Sequence, residues 1–251
     1  MPLVATDAIV LHVFDYLETS RIFKLATREL GVQSVLARGA RRSSGRFGSA
    51  LDLFAEGVAQ LEVRPGRDMQ TLTGFDVVRS RPALAADLAR FTAAATVSEC
   101  VQRVVTEDHS PEAYAITQRV FNALTLVDGP SVVTTTLGGL WQLVAELGFA
   151  PNLEDCASCH ATVEVEVPAS FSHAAGGVLC ASCSARAPGA RRLPSAARAA
   201  IRAWIMGEEL PALAESEGRA HQRLLREFLG HHVTDTRTMK AWGAWEQGRW
   251  G

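Results

Sequence analysis

Apolar and polar positions alternate along the first part of this chain and then switch to a helical period. Ala8-Ile-Val-Leu-His-Val-Phe14 reads as a strand, Ser20–Thr27 as a second and Val32–Ala37 as a third, with a turn at Glu29-Leu-Gly31. Leu51–Arg64 reads as a long fourth strand with Gly57 as its bulge. Pro65-Gly66 turns the chain into a fifth, Gln70–Arg79. Five short strands in succession predict a small barrel or sandwich, and the OB-fold is the five-stranded barrel that binds oligonucleotides.

From residue 82 the apolar positions recur by three and four. Leu84, Leu88, Phe91 and Ala95 form one such set. Ala113, Ile116, Val120 and Leu124 form a second, and Val133, Leu137, Leu140, Val144 and Leu147 a third. Pro82, Ser110-Pro111 and Gly129-Pro130 mark the helix starts, and Gly148 with Pro151 the last stop. Cys100 falls near the apolar face of the first of these helices, as a buried structural thiol would. Further on, Pro194-Ser195 opens a helix running to Met206, with Ala200 and Trp204 on one face, and Pro211 breaks it. Residues 217–229 form another, with His221, Leu224, Leu225 and Phe228 in register. The tail from Met239 to Trp250 reads as loosely ordered; Trp242 is expected to pack, while Trp245 and Trp250 stay open. The fold class is therefore α+β, with a five-stranded domain over 1–80 and a helical domain over 81–251.

Between the helical segments lies the strongest local signal. Cys156-Ala-Ser-Cys159 and Cys180-Ala-Ser-Cys183 form a C-x2-C-x20-C-x2-C pattern. Paired thiolates at this spacing close a tetrahedron around zinc. The intervening segment reads as a hairpin: Thr162–Val167 alternates like a half-exposed strand, and Gly176-Gly177 turns the chain. The expectation is one structural zinc per chain, in a finger over 153–186 inserted into the helical domain. Four thiolates leave no open position for a catalytic water, and the H-x-E of the zinc deaminases does not occur. Disulfides compete with this reading, but reduced thiols are expected in a cytoplasmic protein. His160 and His173 are read as solvent-exposed loop histidines.

Composition sharpens this in three ways. The hydrophobic fraction of 47% in 251 residues excludes disorder, and no apolar run reaches the length of a membrane span. The first residues lack the basic start and apolar core of a signal peptide, so a cytoplasmic protein is expected. The net charge of −2 conceals local basic stretches: Leu30–Leu51 holds four arginines and Val167–Gly207 five, neither with any acid. The first set, Arg38, Arg41, Arg42 and Arg46, is interleaved with Gly39, Gly45, Gly48, Ser43 and Ser44. Guanidinium forks match phosphate oxygens, glycines let a backbone approach, and Phe47 offers a ring to a base; a solvated basic loop is the competing reading. No persuasive Ser-His-Asp or Cys-His order and no cluster of metal-binding carboxylates points to an enzyme or a small-molecule substrate.

In this order and spacing, the chain resembles the RecO family of bacterial DNA repair proteins. The marks are Tyr16-x-Glu18-x-Ser20-x-Ile22, Thr27-x-x-x-Gly31 and Gly39-Ala-Arg-Arg-Ser-Ser-Gly-Arg-Phe47. To these are added Leu147-Gly-Phe-x-Pro151-x-Leu153-x-x-Cys156-x-x-Cys159 and Leu225-x-x-Phe-Leu-Gly-His-His232 followed by Lys240. The resemblance implies an N-terminal OB barrel, a helical body and an inserted zinc finger. It implies binding of single- and double-stranded DNA, annealing of complementary strands, and work with RecR to load RecA onto strands coated by single-stranded DNA-binding protein. A cytoplasmic, nucleoid-associated protein follows. Two departures stand out: His160 where the family often has glycine, and Lys240-Ala241 where it closes on Lys-Ser.

Within this frame Cys156, Cys159, Cys180 and Cys183 are the expected zinc ligands, and Arg38, Arg41, Arg42 and Arg46 the expected DNA contacts. Arg186, Arg191, Arg192, Arg219, Arg223 and Arg226 form a second basic patch, for DNA or for the acidic, apolar-ended tail of single-stranded DNA-binding protein. The alternative is a zinc-stapled protein-interaction adaptor that does not anneal DNA.

Overall fold

In the computed structural model, which describes residues 2–41, 47, 51–105, 111–232 and 239–248, the chain opens on a strand long enough to pair along both edges. β1 (Leu3–Tyr16) pairs with β4 (Glu56–Glu62) through Leu3–Ile9 and with β2 (Ser20–Thr27) through Ala8–Tyr16. β2 continues to β3 (Gly31–Ala37), β3 meets β5 (Gln70–Arg79) in parallel, and β5 returns to β4. The order β1-β2-β3-β5-β4 closes a barrel of OB-like type.

Every second residue points into the barrel. Ala8, Val10, Phe23, Leu25, Val35 and Leu61 meet there, with Phe47 and Leu51 added from outside the strands. The register of β1 shifts between Val10 and His12, so a bulge at Leu11 resets the alternation. After it Val13 faces in, partly buried against the core, and His12, Phe14 and Tyr16 face out. The fourth strand is shorter than the pattern predicts. Leu51–Ala55 is not a strand; Leu51 and Ala55 join the barrel core, while Phe54, in the left-handed region at φ +65°, packs on Phe121 at 5.2 Å between ring centroids. The register does shift beside Gly57, but the extra residue is Val78 on β5; Gly57 itself allows a close approach, since a Cβ there would lie 2.2 Å from the Asp76 carbonyl oxygen.

Three helices complete the first compact unit, Met1–Val127: α1 (Pro82–Ala86), α2 (Leu88–Val104) and α3 (Pro111–Leu124). The barrel thus ends near residue 80, but compactness carries its unit through α3, because α2 and α3 pack on β1 and β2. Arg81 fastens this packing. Buried, it donates to the Phe54 carbonyl at 2.8 Å, to Asn122 Oδ1 on α3 at 2.7 Å and to the Glu56 carboxylate. The first helical stripe is differently phased from the prediction. Asp87 interrupts the helix and caps a new one by accepting the Arg90 N–H at 2.8 Å. Leu88 and Phe91 are therefore exposed, and Thr92, Ala93, Thr96, Val97 and Cys100 face inward. Burial pushes the Cys100 thiol far up, as an inert core thiol requires.

The second unit, Asp128–Gly251, holds α4 (Pro130–Glu146), a three-stranded sheet, and α6 (Ser195–Ile205), α7 (Glu215–His232) and α8 (Lys240–Gln247). α4 packs on α6 and α7. Gly138 admits the Trp204 ring, which would lie 3.1 Å from an added Cβ, and Trp141 meets Phe228 at 5.5 Å between ring centroids. The tail differs from the expectation of loose order: α8 is a helix, and Trp242 and Trp245 are buried edge to face at 5.4 Å. Burying two large rings outweighs the weak local propensity of a Gly-containing segment. Trp250 lies outside the described residues.

His221 on α7 makes this unit acid-sensitive. It sits edge to face with Trp204 at 4.9 Å, and its Nδ1 has no partner among the described residues. Burial pulls its pKa from 6.5 to about 4, with Glu217 pulling weakly the other way. The unfolded chain therefore binds this proton more readily than the folded one. The resulting stability is complete above pH 6.5 and is lost as the pH falls to about 4, at most about 3 kcal/mol by direct conversion. Denaturant unfolding across that window should show the loss, and His221→Phe should flatten it; an equal slope in the variant would place the effect on other groups.

Candidate metal centre and nucleic-acid interface

The two cysteine pairs are brought together by a backbone crossing. Asn152 bridges to Gly177: its N–H donates to the Gly176 carbonyl at 2.9 Å, and its carbonyl accepts the Val178 N–H at 2.9 Å. Ala157 N–H donates to the Val178 carbonyl at 2.8 Å. Gly177 is required here, since a Cβ would lie 2.2 Å from the Asn152 oxygen. Cys156 and Cys159 flank a turn closed by His160 N–H donating to the Cys156 carbonyl at 2.8 Å. His160 adopts φ +61°, a conformation that glycine reaches at less cost. Cys180 caps the short helix α5 (Ala181–Ser184), and Cys183 lies within it.

All four Sγ atoms lie within 4.8 Å of one another, and Cys159 and Cys180 are 3.7 Å apart. Four sulfurs arranged tetrahedrally at a metal–sulfur distance of about 2.3 Å are roughly 3.8 Å apart, so the donor set fits such an ion. All five cysteines are free thiols. Burial pushes the Cys156 thiol up, but N–H groups of Cys180, Cys159 and Ser158 outweigh it and hold it at about 6. At Cys159 the Ala161 N–H favours the thiolate, yet the other three sulfurs prevail and push it up to about 12. A cation among the sulfurs reverses that mutual repulsion.

The hairpin differs from the sequence reading. Its strands are β6 (Ala169–Ser172) and β7 (Gly177–Leu179), joined by β8 (Arg191–Leu193) in the order β7-β6-β8. Thr162–Val167 is not a strand, because both edges of β6 are taken and its own carbonyls face an arginine. That residue, Arg198 on α6, was not singled out from the sequence. It is buried and donates to the carbonyls of Leu153 at 2.5 Å, Glu164 at 2.5 Å and Val163 at 2.9 Å. A signal existed: Arg198 is in helical phase with Ile201, on the buried face of its helix. His173 is also not an exposed loop residue. It is buried, with Nε2 3.1 Å from Glu227 on α7, and burial lowers its pKa against the pull of that carboxylate.

On the barrel, Arg38 and Arg41 lie exposed on the turn that follows β3. Among the described residues Arg38 makes no ion pair. Arg41 lies 3.9 Å from Asp15, which also holds Arg21 at 3.1 Å. Pairs this exposed contribute at most about 1 kcal/mol, so a phosphate can displace the carboxylate. Arg42 and Arg46 lie outside the described residues. Phe47 is buried in the barrel core, which removes it as a ring for a base.

The members of the second arginine set differ in their surroundings. Arg219 pairs with Glu215, Arg226 with Glu246 on α8, and Arg186 stands on the turn after α5. Arg191, Arg192 and Arg223 instead rim one cavity of about 420 Å³, floored by Phe171, Leu193 and Leu224. Glu227, 3.2 Å from Arg191, and Glu217 also line it. Among the described residues no helix is long and apolar enough to cross a membrane.

Comparison with known proteins covers nearly the whole chain. The family profile "Recombination protein O N terminal" matches residues 1–81, and "Recombination protein O C terminal" matches 85–240. "DNA repair protein RecO" of Anaeromyxobacter sp. (strain Fw109-5) is 36% identical over 234 residues, spanning 90% of this chain and 89% of that protein. The protein of the same name from Myxococcus xanthus (strain DK1622) is 32% identical over 230 residues, 90% and 91% of the two chains. That from Nocardioides sp. (strain ATCC BAA-499 / JS614) is 30% identical over 232 residues, 90% and 93%.

Arg198→Met should lower stability by roughly 3 kcal/mol, because it leaves the buried Leu153 carbonyl and the partly buried carbonyls of Val163 and Glu164 without their donor. Metal affinity, read by competition with a chromogenic chelator, should fall about tenfold or more, as when groups supporting metal ligands are lost. Unchanged affinity in a destabilised variant would mean that the knuckles hold their ion independently of α6.

Proposed function

The chain belongs to the RecO family, and on that premise we propose that it is a DNA-binding recombination mediator that anneals complementary strands and, with RecR, loads RecA onto DNA coated by single-stranded DNA-binding protein. The observation that carries the DNA reading is the basic turn after β3 of an OB-like barrel, on which Arg38 and Arg41 are both exposed. Guanidinium groups there grip phosphate oxygens of single- and double-stranded DNA with little regard to sequence. Arg42 and Arg46 extend the same basic run in the sequence. No bond is made or broken. The work is positioning two strands whose mutual repulsion the arginines reduce.

The four cysteines hold one zinc ion, which supplies cross-linking and folding energy to the hairpin. Their all-sulfur set of four supports a structural role, since four thiolates fill a tetrahedral zinc site and leave no coordination position for water. The arginine-rimmed cavity on α7 and β8 supports docking of the acidic, apolar-ended tail of single-stranded DNA-binding protein. Its floor takes the apolar end, and Arg192 and Arg223, unpaired among the described residues, meet the carboxylates.

Three outcomes are expected. Metal analysis of protein purified in reducing buffer should find one zinc per chain, and Cys156→Ser should lose most of it; protein free of zinc would remove the site. Arg38→Ala with Arg41→Ala should weaken DNA of every sequence alike and flatten the salt slope by just under about one unit for each lost phosphate contact. Annealing should slow in parallel, and wild-type annealing in that variant would move the DNA path elsewhere. Arg192→Glu with Arg223→Glu should abolish binding of a fluorescent tail peptide while sparing DNA. Tail binding unchanged by these reversals would exclude the cavity. Salt-independent DNA binding would instead favour an adaptor whose barrel contacts protein.

A further inference from the structure

We infer that Cys159 and Cys180 are a modification site for hydrogen peroxide, which joins them in a disulfide, frees the metal ion and loosens the arginine-rimmed cavity. This rests on the zinc and tail-cavity readings above. The four sulfurs are not equivalent. Cys156 and Cys183 are buried, whereas Cys159 is exposed and Cys180 is partly so. The two accessible sulfurs come from opposite knuckles and lie 3.7 Å apart. An accessible sulfur with a second one beside it to resolve the product is the arrangement that peroxide oxidises. Bound zinc keeps the sulfurs as thiolates, the form that reacts. His160, next in the chain, is held at φ +61° by the closed knuckle, and opening relieves that strain. Cys100 offers the contrast: it is buried in the core of the other unit and stays reduced.

The Cys159 thiolate attacks one peroxide oxygen and the O–O bond breaks. This leaves a sulfenic acid and a hydroxide, which takes a proton to become water. The Cys180 thiolate then attacks the Cys159 sulfur. The S–S bond forms, and the sulfenic oxygen leaves as hydroxide and takes a second proton. The two sulfurs give up two electrons in all, and peroxide is reduced to two waters. A disulfide no longer offers thiolate charge to a cation, and the two buried thiolates alone do not close a tetrahedral site. What the cluster supports is a wall of the cavity. Phe171 stands on β6, and Arg191, Arg192 and Leu193 stand on β8; all four line it. β8 is held by β6, β6 by β7, and β7 ends at Leu179, directly before Cys180. Freeing that end of β7 therefore loosens the strands that carry the arginines. The basic turn of the barrel belongs to the other compact unit and is spared.

The test treats the full, zinc-loaded chain with a small excess of hydrogen peroxide. Released zinc is read with a chromogenic chelator, the disulfide by mass spectrometry of peptides, and the cavity with a fluorescent acidic peptide that ends in apolar residues. Wild type should release most of its zinc, form the Cys159–Cys180 disulfide before any other, and lose most of its affinity for the peptide while keeping its affinity for DNA. Dithiothreitol with added zinc should restore all three. Cys159→His keeps four ligands, because imidazole replaces one thiolate in such sites, but cannot form this disulfide; it should retain zinc and peptide binding through the same treatment. Zinc retained by oxidised wild type, a first disulfide between other cysteines, or equal release from Cys159→His would overturn the pair. Disulfide mapping in wild type decides the matter alone if the variant does not hold zinc. Peptide binding that survives zinc release would overturn the link to the cavity. Reduced protein without zinc would overturn the zinc reading and this one together. Reduced, zinc-loaded protein that binds no peptide would overturn the tail reading and the link to the cavity, while zinc release and disulfide mapping still judge the pair.

Discussion

β1 must satisfy hydrogen bonds along both edges, and the first unit is built around that constraint. A strand paired with β4 at one end and β2 at the other must curve, and its bulge at Leu11 takes up the curvature. One extra residue also changes what the strand presents. Ile9 and Leu11 are buried, whereas His12, Phe14 and Tyr16 stand on the bare face. Arg81 then fixes the covering helices, joining the Phe54 carbonyl and Glu56 to Asn122 on α3. Breaking one partner of such a buried network leaves charge without compensation, so its parts stand or fall together.

The second unit solves a different problem. A sheet of three very short strands cannot bury enough apolar surface to hold itself. Two devices make up the deficit. The four sulfurs gather the two knuckles around a single point, and Arg198 carries that assembly onto α6 through backbone carbonyls. Carbonyl acceptors tie the arginine to the path of the chain and not to particular side chains, so the connection constrains backbone geometry first.

Charge in this protein is decided by pairing, not by number. Arg191, Arg219 and Arg226 belong to the same sequence-defined basic set as Arg192 and Arg223, yet each already faces a carboxylate. Arg38 and Arg41 differ in the same way, with Asp15 near only the second. Exposed pairs of this kind are weak and exchange readily for a phosphate.

The sequence by itself determined what depends on local pattern. Period-two alternation set the barrel strands, period-three-and-four stripes set α3 and α4, and cysteine spacing set the four-sulfur cluster, because each is written within a few residues. Tertiary structure decided what depends on distant partners. Thr162–Val167 alternates like a strand but finds no free sheet edge, and its carbonyls go to Arg198. Leu88 and Phe91 keep a helical spacing that Asp87 interrupts. Phe47 reads as an exposed ring in a basic loop and lies in the barrel core, while the exposed rings lie on a strand whose apolar character suggested burial. The tail becomes a helix because two tryptophans find a place to bury. Local pattern says which residues seek water or a core, and only packing says which of them find it.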